Sequence, residues 1–420
     1  MKITVFPSVA SGSVSAIASK SVAHRLLICA AFADKSTTIR CEQTNEDIIA
    51  TIDCLCALGA EIVRRDNCFI VTPIKSVNKS AILPCNESGS TLRFLLPICA
   101  ALDGSFTFKM KGRLPSRPLS PLKEVLEDHG AFISRLTEDT LAVSGKLFGE
   151  YFEIAGNVSS QFITGLLFAL TLTGADSTLK ITTKIESEPY VNITLDALST
   201  FGINIKKSEN CFVIPRCQSF IAPPSLNVEG DWSNAAFPLA LGIIGKQPIC
   251  VRNLSSNSQQ GDKEIVDILR AFGGKIEESD GSYTAYPSTL CGIEINAANI
   301  PDLVPILATV ASFASGATVI RGAERLRLKE SDRLASVSEV LTDIGADVLE
   351  TDDGLIINGK ESLTGGSTHS FGDHRIAMSV AIAASACNAP TTIDKAEAVN
   401  KSYPDFWKDM TALGVTYTQN

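Results

Sequence analysis

The chain has little of what marks the more specialised classes of protein. It holds 4 histidines in 420 residues, too few and too scattered for a histidine-based metal centre. Its 12 cysteines include no Cys-x-x-Cys pair, and the nearest two are Cys54 and Cys56. That excludes zinc-ribbon and thioredoxin-type patterns. Thiols inside apolar stretches, such as Cys29 and Cys99, read as buried and reduced. Apolar runs such as "AIAASA" are far short of a membrane span. The start, "MKITVFPSVA", lacks the apolar core of a secretory signal, so a cytoplasmic location is expected. Positive charge is in deficit, with 37 Lys and Arg against 46 Asp and Glu, a net charge of -9. This balance argues against a nucleic-acid or anionic-membrane partner, and basic clusters must serve local purposes. "SVSAIASKS" has serine at position 19 where a P-loop needs glycine, and no dinucleotide fingerprint is present.

What the chain does have is a repeat. An apolar helix end, a glycine and a strand recur as "CLCALGAEI", "VLEDHGAFI", "ALSTFGINI", "ILRAFGGKI", "VLTDIGADV" and "DMTALGVTY". The glycines are Gly59, Gly130, Gly202, Gly273, Gly345 and Gly414, spaced by 71, 72, 71, 72 and 69 residues. Glycine suits the left-handed residue that closes a helix. A second set of helices, including "LLPICAAL" and "LATVASFA", is apolar on nearly every side and should be buried. Each unit therefore holds two helices and about four strands. The length exceeds one ordinary core, so two domains of three units each are expected. The change of pattern at "PPSLNVEGDWSNAAF" suggests one domain on residues 13–228 and another combining 1–12 with 229–420. The first strand would complete the last unit, and the two chain crossings would form a hinge.

Cations recur where helices begin. In "RLKESDRLASVSEVL" an amphipathic helix starts near Ser331, a plausible N-cap, with Lys329 and Arg333 at its positive end and Glu330 between them. Lys20 and Arg25 bracket the start of "SKSVAHRLL", and Arg93 lies in the first turn of "SGSTLRFL". Arg117 opens "SRPLSPLKEVL", Arg375 follows Asp373 in "FGDHRIAM", and Lys401 precedes "SYPDFW". Helix starts that converge on one cleft would attract an anion, and the cations would add charge and hydrogen bonds. Ser159, Ser160 and Gln161 in "GNVSSQF" suit a phosphate at another helix start. Asp302 and Glu330 are acid–base candidates in such a cleft.

Together "SKSVAHR", "NESGSTLRFL", "SRPL", "GNVSSQF", "SEPYVNITL", "VEGDWSNAAF", "LKESDRL", "GDHRIAM" and "KSYPDF" resemble the 5-enolpyruvylshikimate-3-phosphate synthase family of enolpyruvyl transferases, in order and along essentially the whole chain. The resemblance implies an α/β fold of two inside-out barrels (α/β prisms), three repeated units in each, closing over a cleft. It implies transfer of the enolpyruvyl group of phosphoenolpyruvate to the 5-hydroxyl of shikimate 3-phosphate, with release of phosphate. This step lies on the shikimate pathway to chorismate and aromatic amino acids. It further implies a monomer that uses no metal or organic cofactor and is a glyphosate target.

Matched position by position, the resemblance assigns Lys20, Gly89, Arg117, Gln161, Arg333, Arg375 and Lys401 to phosphoenolpyruvate. It assigns Lys20, Ser21, Arg25, Ser159, Ser160, Gln161, Ser187, Tyr190, Asp302 and Lys329 to shikimate 3-phosphate. Asp302, Glu330 and Lys20 would move the protons. Two positions depart from many relatives: Glu87 stands beside the phosphoenolpyruvate loop, and Arg325 replaces an asparagine. The sister enzyme acting on UDP-N-acetylglucosamine carries a Lys-Asn pair and a loop cysteine, where this chain has Lys20-Ser21 and a cysteine-free "GRLPSRPLSP". A DNA-encircling clamp would need a basic lining that an acidic chain lacks.

Overall fold

The computed structural model describes residues 1–419. Twelve α-helices lie among them: α1 (Lys20–Ala31), α2 (Glu46–Leu58), α3 (Gly89–Ala101), α4 (Leu122–Asp128), α5 (Ser160–Leu172), α6 (Glu188–Thr200), α7 (Trp232–Ile244), α8 (Ile265–Ala271), α9 (Val304–Ala311), α10 (Arg333–Asp343), α11 (His374–Ala386) and α12 (Phe406–Ala412). All six repeat glycines follow an even-numbered helix and take positive φ: 118° at Gly59, 94° at Gly130, 79° at Gly202, 98° at Gly273, 100° at Gly345 and 90° at Gly414. After α2, the Ala60 N–H donates to Leu55 O at 3.0 Å, and after α10 the Ala346 N–H donates to Leu341 O at 2.9 Å. This six-to-one bond closes a helix whose next residue is left-handed, a conformation in which a side chain would be strained.

Each repeat adds one four-stranded sheet with the same pairing. An edge strand runs parallel to the strand after the buried helix, and an antiparallel pair completes the sheet. In the first, Ser225–Asn227 pairs in parallel with Thr37–Arg40, which pairs antiparallel with Cys68–Thr72, itself antiparallel to Glu61–Arg65. The edge strand thus comes from nearly two hundred positions further along the chain than its neighbour.

The chain divides into two compact units, Ala18–Val228 and a second made of Met1–Ile17 with Glu229 onward. The second takes more of the N-terminus than the 1–12 expected from sequence. The reason is pairing: Gly12–Ser15 lies parallel to Ile249–Arg252, and Lys2–Val5 inserts between Thr391–Asp394 and Tyr417–Gln419. Each unit has its own core. In the first, Leu27, Leu96 and Leu167 from α1, α3 and α5 are fully buried. In the second, Leu239, Ile306 and Ile382 from α7, α9 and α11 are equally buried. The uniformly apolar helices are therefore interior, and the even-numbered helices keep an exposed face. Six of the twelve cysteines are buried; Cys56, Cys217 and Cys291 are exposed, so burial of the thiols as a set does not hold.

Packing of α5 on α3 sets up the first unit's polar groups. A Cβ on Gly165 would collide with the carbonyl oxygen of Arg93 and approach Pro97 Cγ to 2.9 Å. Glycine therefore lets the two helices approach backbone to backbone. Arg93 on α3 and Gln161 on α5 meet as a result, the guanidinium donating to Gln161 Oε1 at 3.3 Å.

Candidate active site

In the first unit, α1 begins at Lys20, whose ammonium sits 2.8 Å from Asp47 Oδ2 in the first turn of α2. The acid stabilises its own helix start and the cation together. Gly89 opens α3 under the N-cap Ser88, whose hydroxyl accepts from the Thr91 N–H at 3.3 Å. A Cβ on Gly89 would lie 2.6 Å from Arg93 Nη1 and 2.7 Å from Arg117 Nη1. Two guanidiniums therefore crowd this turn, which only a glycine leaves room for. Gln161 bridges them to α5, its Nε2 donating to Ser90 Oγ at 2.9 Å. Ser159 is the N-cap of α5, accepting from the Gln161 N–H at 3.3 Å, and Ser160 is the first helical residue. Ser187 takes a left-handed conformation at the start of α6.

Two expectations change here. Arg117 does not open a helix: it is extended after the turn Leu114–Ser116, and α4 starts only at Leu122. Pro118 disfavours helical backbone at the residue before it, and Pro121 repeats the effect. Arg25 is a buried connector. Its Nε donates to Thr194 Oγ1 at 2.7 Å, Nη1 to Ser21 O at 2.6 Å and Nη2 to Tyr190 O at 2.9 Å, with the fork over the Phe94 ring. It thereby ties Ser21 and Tyr190 into one bundle. The second change lies in the other unit, where the cap of α10 is Asp332, which accepts from the Ala335 N–H at 3.2 Å. Ser331 instead donates to Asp373 Oδ2 at 3.1 Å.

Beside Lys20 lies His24, wholly buried, its Nδ1 2.7 Å from Thr51 Oγ1 in a hydroxyl chain that runs through Thr91 to Ser88. Burial, helped by Lys20 and Arg25 and opposed by Asp47, lowers its pKa to about 3. A depressed histidine stabilises the fold fully above the unfolded value near 6.5 and loses that contribution as pH falls toward 3. Urea unfolding at pH 6.5, 5 and 4 should show stability dropping with acid by up to several kcal/mol from this one group, about 1.4 kcal/mol per pH unit below 6.5. The slope should be visibly shallower in His24→Asn; equal slopes in both proteins would remove His24 as the cause.

The second unit carries the denser cluster. Arg333 is the first residue of α10 and only 1% exposed. Its Nε donates to Asp373 Oδ2 at 2.8 Å, Nη1 to Asp302 Oδ1 at 2.8 Å and Nη2 to Glu330 Oε2 at 2.9 Å. Arg375, second residue of α11, donates to Asp302 Oδ2 at 3.1 Å, and the Lys329 ammonium lies 3.7 Å from Asp302 Oδ1. The cation at the wrong end of α10 is thus answered by carboxylates from three other places in the unit. Although burial works against its charge, Asp373, Glu330 and Asp302 hold Arg333 protonated above the ordinary arginine range. Burial likewise opposes ionisation of Asp302, but Arg375, Lys329 and Arg333 outweigh it and keep the carboxyl well below its usual value.

Asp373 is the organiser, with no exposed surface. Besides holding Arg333 and Ser331, it caps α11 by accepting from the Arg375 N–H at 2.9 Å. No local sequence pattern marks its second role, the seating of Arg333. Asp262, also missed, is buried next to Ser233; burial and Asp302 push its carboxyl up to about 6 against the pull of Arg375. Lys401 ends the turn Ala396–Lys401 and is buried at 7%. Among the described residues, no group of three or more His, Cys, Asp or Glu is placed to hold a metal ion.

Sheets of repeated units around buried helices, with guanidiniums and ammoniums seated at helix starts, define an enolpyruvyl transferase fold. It matches the solved EPSP synthase of Acinetobacter baumannii with a TM-score of 0.82 at 24% identity, covering 100% of both chains. It also matches the enolpyruvyl transferase NikO of Streptomyces tendae with a TM-score of 0.79 at 18% identity, over 99% of this chain and 98% of that one. The chain belongs to the EPSP synthase (3-phosphoshikimate 1-carboxyvinyltransferase) family, whose model matches residues 7–410. The 3-phosphoshikimate 1-carboxyvinyltransferase of Clostridium kluyveri is 42% identical over 417 residues, 98% of this chain and 97% of the relative. That of Clostridium novyi is 40% identical over 423 residues, with the same coverage of 98% and 97%.

Proposed function

We propose that this enzyme transfers the enolpyruvyl group of phosphoenolpyruvate to the 5-hydroxyl of shikimate 3-phosphate and releases phosphate. The observation that carries the residue assignment is the Asp302 carboxylate, contacted by Arg333, Arg375 and Lys329 while Glu330 shares Arg333. Two acids in a cluster of cations are what a reaction between two phosphorylated carboxylates needs. The cations take up substrate charge, and the acids exchange protons.

Lys20, Gly89, Arg117, Gln161, Arg333, Arg375 and Lys401 bind phosphoenolpyruvate. Lys20, Ser21, Arg25, Ser159, Ser160, Gln161, Ser187, Tyr190, Asp302 and Lys329 bind or border shikimate 3-phosphate. Glu330, with Lys20, delivers a proton to the methylene carbon, leaving positive charge at C2. The 5-hydroxyl attacks C2 and becomes acidic as it bonds. Asp302, held ionised, is a weak base but a ready acceptor, and it orients the hydroxyl and takes the proton at that moment. The tetrahedral adduct then loses a methyl proton to Glu330 and expels phosphate, which restores the enol ether. We assign the enzyme to the cytoplasm as a monomer; no helix among the described residues is long and apolar enough to cross a membrane.

The test is phosphate release from phosphoenolpyruvate. Release is expected with shikimate 3-phosphate and not without it. Release that requires UDP-N-acetylglucosamine instead would transfer the chain to the sister activity.

A further inference from the structure

Arg327 lies in the turn Glu324–Leu328, just ahead of Lys329 and Glu330, and no role above uses it. Its side chain is 30% exposed, yet its fork is fully engaged. Nη1 donates to Glu350 Oε1 at 2.5 Å and to Asp332 Oδ2 at 3.3 Å, and Nη2 donates to Thr351 O at 2.8 Å. Glu350 ends the strand Asp347–Glu350, and Thr351 enters the turn that leads to Leu355–Asn358. Asp332 is the cap of α10. One planar group therefore binds both ends of the stretch Leu328–Asp332 to a hairpin.

The hairpin turn reaches back as well. Asp353 O accepts from the Ala323 N–H at 2.7 Å, and its Oδ2 accepts from the Gly322 N–H at 3.3 Å. On the inner side, Ser331 and Arg333 are fastened to Asp373. Lys329 and Glu330 thus lie between two anchors, with the Lys329 N–H donating to Leu326 O at 3.4 Å. Isolated exposed ion pairs contribute little, but a guanidinium fork shared among several acceptors is the exception.

We propose that Arg327 is a positioning residue that holds Leu328–Asp332 so that Lys329 and Glu330 meet the reacting groups. The inference rests on the assignment of those two residues made above. A displacement of about 1 Å at a reacting group costs on the order of a hundredfold in rate, so a loosened stretch is felt in turnover.

The experiment compares wild type with Arg327→Gln, Glu350→Gln, the double variant and Arg327→Lys, by steady-state phosphate release and by hydrogen exchange. In Arg327→Gln, kcat should fall by at least about tenfold while KM for phosphoenolpyruvate changes less than about threefold. Exchange should rise in residues 324–332 and nowhere else. The double variant should be no worse than Arg327→Gln, because both changes remove the same contact. Arg327→Lys, able to reach Glu350 but not to hold Thr351 and Asp332 together, should restore part of the rate. A kcat within about twofold of wild type overturns the proposal. So does a loss accompanied by faster exchange throughout residues 229–419, which would mark a general stabiliser. If wild type releases no phosphate from these substrates, the functional assignment fails separately. Exchange then decides the clasp, and unchanged exchange in 324–332 of Arg327→Gln overturns it.

Discussion

Glu330→Gln should cut turnover of phosphoenolpyruvate with shikimate 3-phosphate by at least about a hundredfold, the usual contribution of a positioned acid or base. The amide keeps the size of the side chain and can no longer shuttle a proton. Arg333 stays seated, because Asp373 and Asp302 still receive its Nε and Nη1. Folding should therefore be unaffected, with the melting temperature within a few degrees of wild type, and phosphoenolpyruvate affinity should fall far less than turnover. The split between kcat and KM is the informative reading, since loss in kcat alone marks a group needed in the transition state. Near-normal turnover in this variant would exclude Glu330 from proton transfer and leave Lys20 and Asp302 to account for it.

Asp373→Ala should be the most damaging single change to the second unit's stability. It removes the acceptor of Arg333 Nε, one acceptor of Nη2 and the cap of α11 at once. Breaking a buried ion pair by deleting one partner typically costs about 3–5 kcal/mol, because the remaining charge stays desolvated. Loss of a cap adds about 1 kcal/mol. Asp302 and Glu330 still neutralise Arg333, so the lower end of that range is expected. A fall in melting temperature on the order of 10 °C follows for a unit of this size. Asp373→Asn, which keeps the cap but not the charge, should recover roughly a quarter of the loss, in proportion to the cap's share. A melting curve for Asp373→Ala that overlays wild type would mean that Arg333 finds equal support elsewhere.

The six glycines were legible because their requirement is local: a residue that closes a helix with positive φ excludes side chains wherever it occurs. The apolar character of α9 and α11 made their burial equally plain. The polar site was legible in part. Cations near helix starts stood out, but their partners are remote, Asp47 lying 27 residues from Lys20 and Asp373 lying 40 from Arg333. No short-range pattern links such pairs. Ser331 and Asp332 are both good caps side by side, and the choice fell to Asp332 because tertiary contact drew Ser331 to Asp373. The hydroxyls that receive Arg25, on Thr164 and Thr194, are likewise remote in sequence. Arg117 was placed one element too early because two prolines delay α4.

The origin of three edge and inner strands bears on how a ribosome must deliver this protein. Residues 18–228 possess every partner for their three sheets once Ser225–Asn227 has emerged. Lys2–Val5 and Gly12–Ser15, made before them, wait for Thr391–Asp394, Tyr417–Gln419 and Ile249–Arg252. The sheet of the second unit that holds Lys2–Val5 is therefore completed only after Tyr417–Gln419 has emerged, and Lys2–Val5 stays without its strand partners while the whole of the first unit and most of the second are made.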